Sequence, residues 1–529
     1  MPRIARVVRR WWWLLVPAGF FALLLAVSVY VYFWPEGTEN RIRLAVTAAL
    51  SERFQSQVEL ASLKIKVFPI LQVTGEGLLV RYHGRTDFPP LLQIQNFSFR
   101  GGLLGLLHRV KHIRLVRVQH MVINIPPRES NPNPAAANPL PRQSSSSEII
   151  IDRVICNDMD LLIYPKKAEK GPLKWQIHNL LLTSAGVHKH FAFEGKLTNA
   201  KPKGEIATHG RFGPWDAGDP GNTPVAGEYE FSNADLDPLP GIGGILSSTG
   251  KYDGVLSELQ VQGQTDTPQF TLDKVGKPVP LHTDFSATVD ATNGDTYLHP
   301  VKAMLAKSLI IAEGEVVRMP EKKGHLISIN TTVPAGRIQD FLDLAVNSDQ
   351  PLLTGPVKIQ AKVQIPPGKE RVIEKMTLDG QFSVDDAKWN SPQLREELQS
   401  LSRHAIGKPG DIEAGSSVSN LSGDFRMGHG VILFRRLTFQ VEGASIELVG
   451  TYGLVGGELN FAGQLRLQAK LSQTVTGTKS FFLKAVDPLF EKSGSGTVLP
   501  IRITGTKDNP VFGVTVFHKT FDKRLSSTN

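Results

Sequence analysis

From Glu458 to Leu471 the chain alternates without interruption. Leu459, Phe461, Gly463, Leu465, Leu467, Ala469 and Leu471 interleave with Glu458, Asn460, Ala462, Gln464, Arg466, Gln468 and Lys470. A period of two cannot form the stripe of a helix, whose neighbouring positions on one face are three and four apart. It suits an antiparallel strand with one wet and one apolar face. The same period runs through Val357, Ile359, Ala361, Val363 and Ile365, through Leu437, Phe439 and Val441, and through Leu499, Ile501 and Ile503. A strand, a Gly-containing turn and a returning strand recur irregularly in SELQVQGQ, EKMTLDGQFSV, LTFQVEGASIEL, LNFAGQLRL and LPIRITGT. The spacing is too uneven for a solenoid, so a long meandering sheet is expected. Between 148 and 518 the best candidates for helical spacing are 335–346, 393–405 and 479–491, the last interrupted by Pro488.

The amino terminus follows a different rule. Residues 11–34 carry no charge, and a helix of 24 residues rises far enough to cross the ~30 Å hydrocarbon layer. Trp11, Trp12, Trp13 and Trp34 stand at its two ends, where indole favours the membrane interface. Arg3, Arg6, Arg9 and Arg10 precede it, so residues 1–10 are expected in the cytoplasm and the rest across the membrane. They also hold four of the net +9 charges, which leaves the remaining chain nearly balanced and gives no argument for nucleic acid. A cleaved signal peptide is the competing reading, but the apolar stretch exceeds a normal h-region.

Beyond the anchor, residues 35–125 begin with an amphipathic helix at 39–55 (Ile42, Ala45, Val46, Ala49, Leu50, Phe54) and continue as short strands around Val58 and Leu60, then Leu63, Ile65 and Val67. Residues 126–147 are a Pro- and Ser-rich linker or loop with little to bury. A middle β region (148–250), a C-terminal β region (251–518) and a short tail (519–529) follow. The expected fold is mainly β: a transmembrane helix, then a long twisted antiparallel sheet curled into an apolar groove, with a few short helices.

An apolar sheet face has to meet something. Alternation alone favours a second sheet, because the interior faces of sandwiches look the same in sequence. Two features favour an open face that holds acyl chains. Few helices are available as cover, and the run at 459–471 is long for a sandwich strand unless Gly463 divides it.

The anchor, the helix RIRLAVTAALSERF, the strand Lys64 to Pro69 ending in FP, and the later strings GKYDGVLSELQVQGQTDTPQFTL, FQVEGASIELVGTYGLVGGELNFAGQL and GSGTVLPIRITGTKDNPVFGV together resemble the bacterial AsmA family and its C-terminal region. The likeness covers most of the chain and rests on diffuse strand-and-glycine patterns. It implies a protein anchored in the inner membrane, with its bulk in the periplasm, similar to bridge-like lipid-transfer proteins and associated with phospholipid movement and outer-membrane assembly. Membrane phospholipids and other envelope proteins are the partners it implies. The groove candidates are then Val357, Ile359, Val363, Ile365, Leu437, Phe439, Val441, Leu459, Phe461, Leu465, Leu467, Leu499, Ile501 and Ile503. Roughly 25–30 strands at ~4.7 Å spacing reach on the order of 130 Å at most, short for a bridge without a partner. The alternative function is a non-catalytic β-sandwich scaffold that docks envelope proteins.

Catalytic and cofactor motifs are absent from the sequence: no P-loop, HExxH, EF-hand loop or GxSxG elbow occurs. Gly241-Ile242-Gly243-Gly244 lacks the third glycine of a dinucleotide loop and reads as a turn. His188 and His190 share a strand face with only Glu194 nearby, a poor metal set. Asp216 and Asp219 suit a loop. Cys156, the one cysteine, excludes a disulfide framework and reads as a small core residue. No catalytic residue, metal or cofactor is expected. Asn96, Asn330 and Asn420 open N-x-S/T sequons that carry no weight in a bacterial protein.

Overall fold

The computed structural model describes residues 57–66, 71–81, 89–101, 111–125, 149–164, 172–186 and 190–214, and, apart from short gaps, 220–469 and 496–524, together with Arg43, Leu44, Thr47 and Ser51. The anchor with Trp11, Trp12, Trp13 and Trp34, the 126–147 segment and the 479–491 helix lie outside the described residues. Among the described residues no helix is long and apolar enough to cross a membrane. Of the helix expected at 39–55, Arg43, Leu44, Thr47 and Ser51 are described and helical. The chain divides into two compact units, Met1–Tyr229 and Glu230–Asn529. The division falls within β9 (Pro224–Asp235), inside the middle region read as 148–250.

The first unit holds β1 (Gln57–Lys66), β2 (Leu71–Arg81), β3 (Leu92–Gly101), β4 (Lys111–Ile125), β5 (Ile149–Ile163), β6 (Leu173–Gly186), β7 (Phe191–Thr198) and β8 (Lys203–Phe212), each paired with the next. One pairing corrects the expected antiparallel sheet. β4 and β5 run parallel, with Lys111 opposite Ile149 and Ile125 opposite Ile163. Parallel neighbours need a connection that returns along the strand. Fourteen residues of strand at ~3.3 Å each make about 46 Å to retrace. The 126–148 segment is long enough to cover that distance, and this is the physical reason for a long excursion at this point.

The strands read as short pieces are single strands with a phase slip. Two apolar rows cross this sheet: Leu60–Leu78–Ile94–Met121–Met159–Ile177 and Leu63–Gly75–Phe97–Val118–Cys156–Leu180. Within each strand the two rows lie three residues apart, which in a regular strand would put them on opposite faces. They nevertheless pack together: Ile94, Val118, Cys156 and Met159 form one buried cluster with Phe97, Met121, Ile177 and Leu180 against it. Backbone of left-handed conformation restores the phase at Gly77 (φ 67°), His120 (φ 52°) and Asp158 (φ 55°), residue types that bear this conformation at least cost. Two successive residues per strand then face away from the cluster, and most are polar: Gln95-Asn96, Gln119-His120, Asn157-Asp158, His178-Asn179. The β1 edge is covered by the helical residues before it. Arg43 Nη1 donates to the carbonyls of Leu60 and Ala61, both at 3.0 Å, and the Val58 N–H donates to Ser51 Oγ at 3.2 Å.

The second unit is an antiparallel meander: β11 (Ile245–Val255), β12 (Glu258–Leu272), β13 (Val279–Val289), β14 (Thr296–Leu305), β15 (Ser308–Met319), β16 (Lys322–Arg337), β18 (Pro356–Ile365), β19 (Thr377–Trp389), β20 (Ser419–Gly428), β21 (Val431–Val441), β22 (Ala444–Gly453), β23 (Glu458–Leu467), β24 (Thr497–Thr506), β25 (Pro510–Val516) and β26 (Lys519–Arg524). The two-residue strands β10 (Ile242–Gly243) and β17 (Leu353–Thr354) pair with the far ends of β12 and β19. Each is set off from the strand that follows by a glycine at positive φ, Gly244 (115°) and Gly355 (156°). β23 passes Gly463 unbroken, with Leu448 and Ile501 opposite it on either side, so this glycine does not divide the run.

Helices form at Ile338–Ala345 and Pro392–Ala405, close to both expectations. Residues 335–337 remain strand because Gly336 and Arg337 pair with Val357 and Pro356. Consecutive strands run in opposite senses, so the starts of β13, β18, β22 and β24 share one margin with the ends of β14, β19, β21 and β23. Most of the buried side chains of this unit concentrate there. Val357, Val384, Ala387 and Leu353 are covered by Ile338, Phe341 and Leu342 of the first helix. Ala405 of the second packs with Val441, Ala444, Leu467 and Leu499. Polar bonds hold both helices down. Asp340 Oδ2 accepts from Ser308 Oγ at 2.8 Å and from the Lys307 N–H at 3.2 Å. Ser402 Oγ donates to Glu442 O at 2.8 Å, and the Ala469 N–H donates to Ala405 O at 2.7 Å.

Candidate apolar binding face

The strand registers bring the fourteen groove candidates onto one face of the second unit. One row reads Val357–Val384–Leu421–Phe439–Ile446–Leu465–Leu499, and the next Val333–Ile359–Phe382–Gly423–Leu437–Leu448–Gly463–Ile501. A third runs Ala361–Gly380–Phe425–Phe434–Gly450–Phe461–Ile503, and a fourth Ile329–Val363–Leu378–Met427–Ile432–Tyr452–Leu459. Ile365 lies opposite Ile327, and Val441 opposite Ala444, which pairs with Leu467. Eight strands at ~4.8 Å spacing carry these rows about 34 Å across the sheet, close to the thickness of a bilayer's hydrocarbon core. Lys358, Gln360, Gln464 and Arg466 point to the other face and are exposed.

The face is graded. Next to the helices it is closed: Val357 is 1% exposed, and Val441, Leu467 and Leu499 are buried. Away from them Ile359, Val363, Ile365, Leu437, Leu459, Ile501 and Ile503 are half-buried. The described hydrophobic clusters of this unit join strands adjacent in the sheet to one of the two helices. A sandwich core would instead join side chains from two stacked sheets.

Phe382, Phe425, Phe434 and Phe461 form a ladder across the middle of this face, with successive ring centroids 6.3, 6.4 and 5.8 Å apart. Glycines make room for it. A Cβ on Gly423 would come within 2.8 Å of the Phe382 ring, and one on Gly450 within 2.7 Å of Phe461 Cδ1. Phe382 and Phe461 therefore lie against bare backbone, which contributes to the burial of Phe461. Sequence reasoning found only Phe461 of these four. Phe382 was legible, because Leu378, Gly380, Phe382 and Val384 alternate. Phe434 was not, because a bulge between Phe434 and Leu437 places both on the apolar face three residues apart.

The remaining sequence candidates fall elsewhere. Cys156 is buried in the first unit, and burial pushes its thiol pKa up, which suppresses the thiolate. Gly243 pairs with Thr271 in a strand, so the Gly241–Gly244 stretch does not open a helix. His190 is exposed just before β7, while His188, Asp216 and Asp219 lie outside the described residues. His282 Nδ1 contacts Asp266 Oδ1 at 2.6 Å, and that hydrogen bond, with the nearby Asp284 charge, holds the imidazole pKa above its ordinary value despite some desolvation. Among the described residues no three His, Cys, Asp or Glu side chains group as metal ligands.

No protein-family model, curated protein or solved structure matches this chain.

Proposed function

We propose that this chain binds phospholipid acyl chains on the apolar face of its second unit. It does so as a membrane-anchored periplasmic protein that supports lipid movement between inner and outer membrane and outer-membrane assembly. The task is binding and guidance rather than bond-making. One observation carries the reading: among the described residues an apolar face continuous over eight strands is closed beneath two helices, and over most of the rest, apart from the buried Met427, Leu448 and Phe461, it is half-buried. Acyl chains are the ligand that suits such a face, because their transfer from water is favourable in proportion to apolar area and needs no directional partner. The ladder of four phenylalanine rings, two of them against glycine backbone, supports it, since it offers apolar contact without polar groups to desolvate. The uncharged run at 11–34 and the likeness to the AsmA family support the envelope location. The test is native extraction of the full chain followed by lipid mass spectrometry. Glycerophospholipid is expected at or above one molecule per chain. A lipid-free protein with the same fold would refute the reading.

A further inference from the structure

The opposite, polar face of the same strands carries a second feature. Two adjoining recesses of about 460 and 530 Å³ lie over β16–β21 and share Gln360, Gln381 and Asp424. Their lining includes the polar row Thr332–Gln360–Gln381–Asp424–Arg436, together with Val333, Ile359 and Phe382 from between the polar positions. The β21 bulge shapes it. In a regular strand Arg435 and Arg436 would point to opposite faces, which would put one guanidinium among the phenylalanines. The register shift between Asp424 and Phe425 instead turns both outward. Arg426 lies on the adjacent strand, and Lys358 and Lys362 flank Gln360 on β18. Five cations thus surround two carboxylates, Asp379 and Asp424.

Those carboxylates organise the guanidinium groups. Asp379 Oδ2 accepts from Arg426 Nη2 at 2.8 Å and from Arg435 Nη2 at 2.9 Å. Asp424 Oδ2 accepts from Arg436 Nη2 at 2.8 Å. The two arginines hold the Asp379 carboxyl below its ordinary range, Arg426 contributing most. Each guanidinium has five N–H donors in a planar fork that matches tetrahedral oxyanions. The lining carries Lys358, Lys362, Arg435 and Arg436 against Asp379 and Asp424, a net charge of +2, with Arg426 beside it on Asp379; these oriented forks and flanking lysines have the chemistry of an anion site.

We propose that this polar recess binds a phosphate group, centred on Arg426, Arg435 and Arg436. It is separate from the apolar face and does not depend on that face holding lipid. The phosphate is either that of a lipid headgroup presented at a membrane surface or that of a free phosphate compound, and the two sources are separable. The full chain is titrated with inorganic phosphate and followed by phosphorus NMR line broadening. It is also floated with phosphatidylcholine vesicles with and without phosphatidylglycerol. Binding of inorganic phosphate, or of phosphatidylglycerol vesicles over pure phosphatidylcholine, supports the site and names its source. The double variant Arg435→Gln with Arg436→Gln should weaken that binding about tenfold or more while the circular dichroism spectrum and thermal midpoint are retained. Asp379→Asn should tighten it severalfold, because it removes the internal competitor for Arg426 and Arg435. A cluster serving only to hold the strands together would lose stability in Asp379→Asn without gaining anion affinity. Absence of binding in both assays, or binding unchanged in the double variant, overturns the proposal.

Discussion

Val357 and Val363 are the same residue type, six residues apart on β18 and on the same face, about 20 Å from each other. Val357 is 1% exposed beneath the 338–345 helix. Val363 sits between Ile329 and Leu378 and is half-buried. Glutamate at 357 loses about 1.5–3 kcal/mol of side-chain burial. It also leaves an unpaired buried charge, which costs a further ~3–5 kcal/mol. The sum, about 5–8 kcal/mol, is a third or more of a total stability of roughly 5–15 kcal/mol. Val363→Glu keeps its carboxylate in reach of water and should cost about 1 kcal/mol. At roughly 2–4 °C per kcal/mol, Val357→Glu should lower the midpoint by more than about 10 °C and Val363→Glu by a few degrees. Lipid recovered with the full chain, measured by mass spectrometry, should nevertheless fall steeply in Val363→Glu, because an ionised group among acyl chains has lost its water and gained no partner. If Val363→Glu unfolds as Val357→Glu does, the face is packed against protein and the scaffold reading is the better one. If it folds and retains its lipid, this face is not the binding surface.

Photo-crosslinkers at Ile359, Leu459 and Ile501 should label lipid, while those at Lys358, Gln360, Gln464 and Arg466 should not; equal labelling would remove the two-faced sheet from the argument. Asp340→Ala leaves the Lys307 N–H without its acceptor and the buried Ser308 hydroxyl with only the longer 3.5 Å contact to the Arg337 carbonyl as acceptor, and should cost about 1–3 kcal/mol in chemical denaturation, with faster hydrogen exchange at Lys307. His282 has a folded pKa raised above its ordinary 6.5, so its ion pair with Asp266 stabilises fully below about pH 6.5 and is lost as pH rises through the folded value. The stability difference between wild type and His282→Gln should accordingly shrink as pH is raised from below about 6.5 through the folded value; a constant difference would show that the pair is not coupled to folding.

Period and register explain what could be read in advance. Alternation in 357–365, 437–441, 459–471 and 499–503 marked the strands and which side chains share a face, because a strand offers only two directions and a meander keeps neighbours in phase, although β23 ends at Leu467, short of Leu471. Helical spacing likewise placed the two helices to within a few residues. The phase slips were not legible. Val118 with Met121 and Cys156 with Met159 look like broken strands until left-handed backbone at His120 and Asp158 is seen to bring each pair onto one face, in register with Leu60 and Leu63 and with Ile94 and Phe97. The bulge that turns out both Arg435 and Arg436 was hidden for the same reason, since one extra residue inverts every direction that follows it. The parallel pairing of β4 with β5 depends on where a long connection returns, which no local pattern encodes. Closure of the apolar face at Val357 and its exposure at Val363 depend on where two helices come to rest. That is a matter of long-range packing between segments, and two identical valines in one alternating strand carry no trace of it.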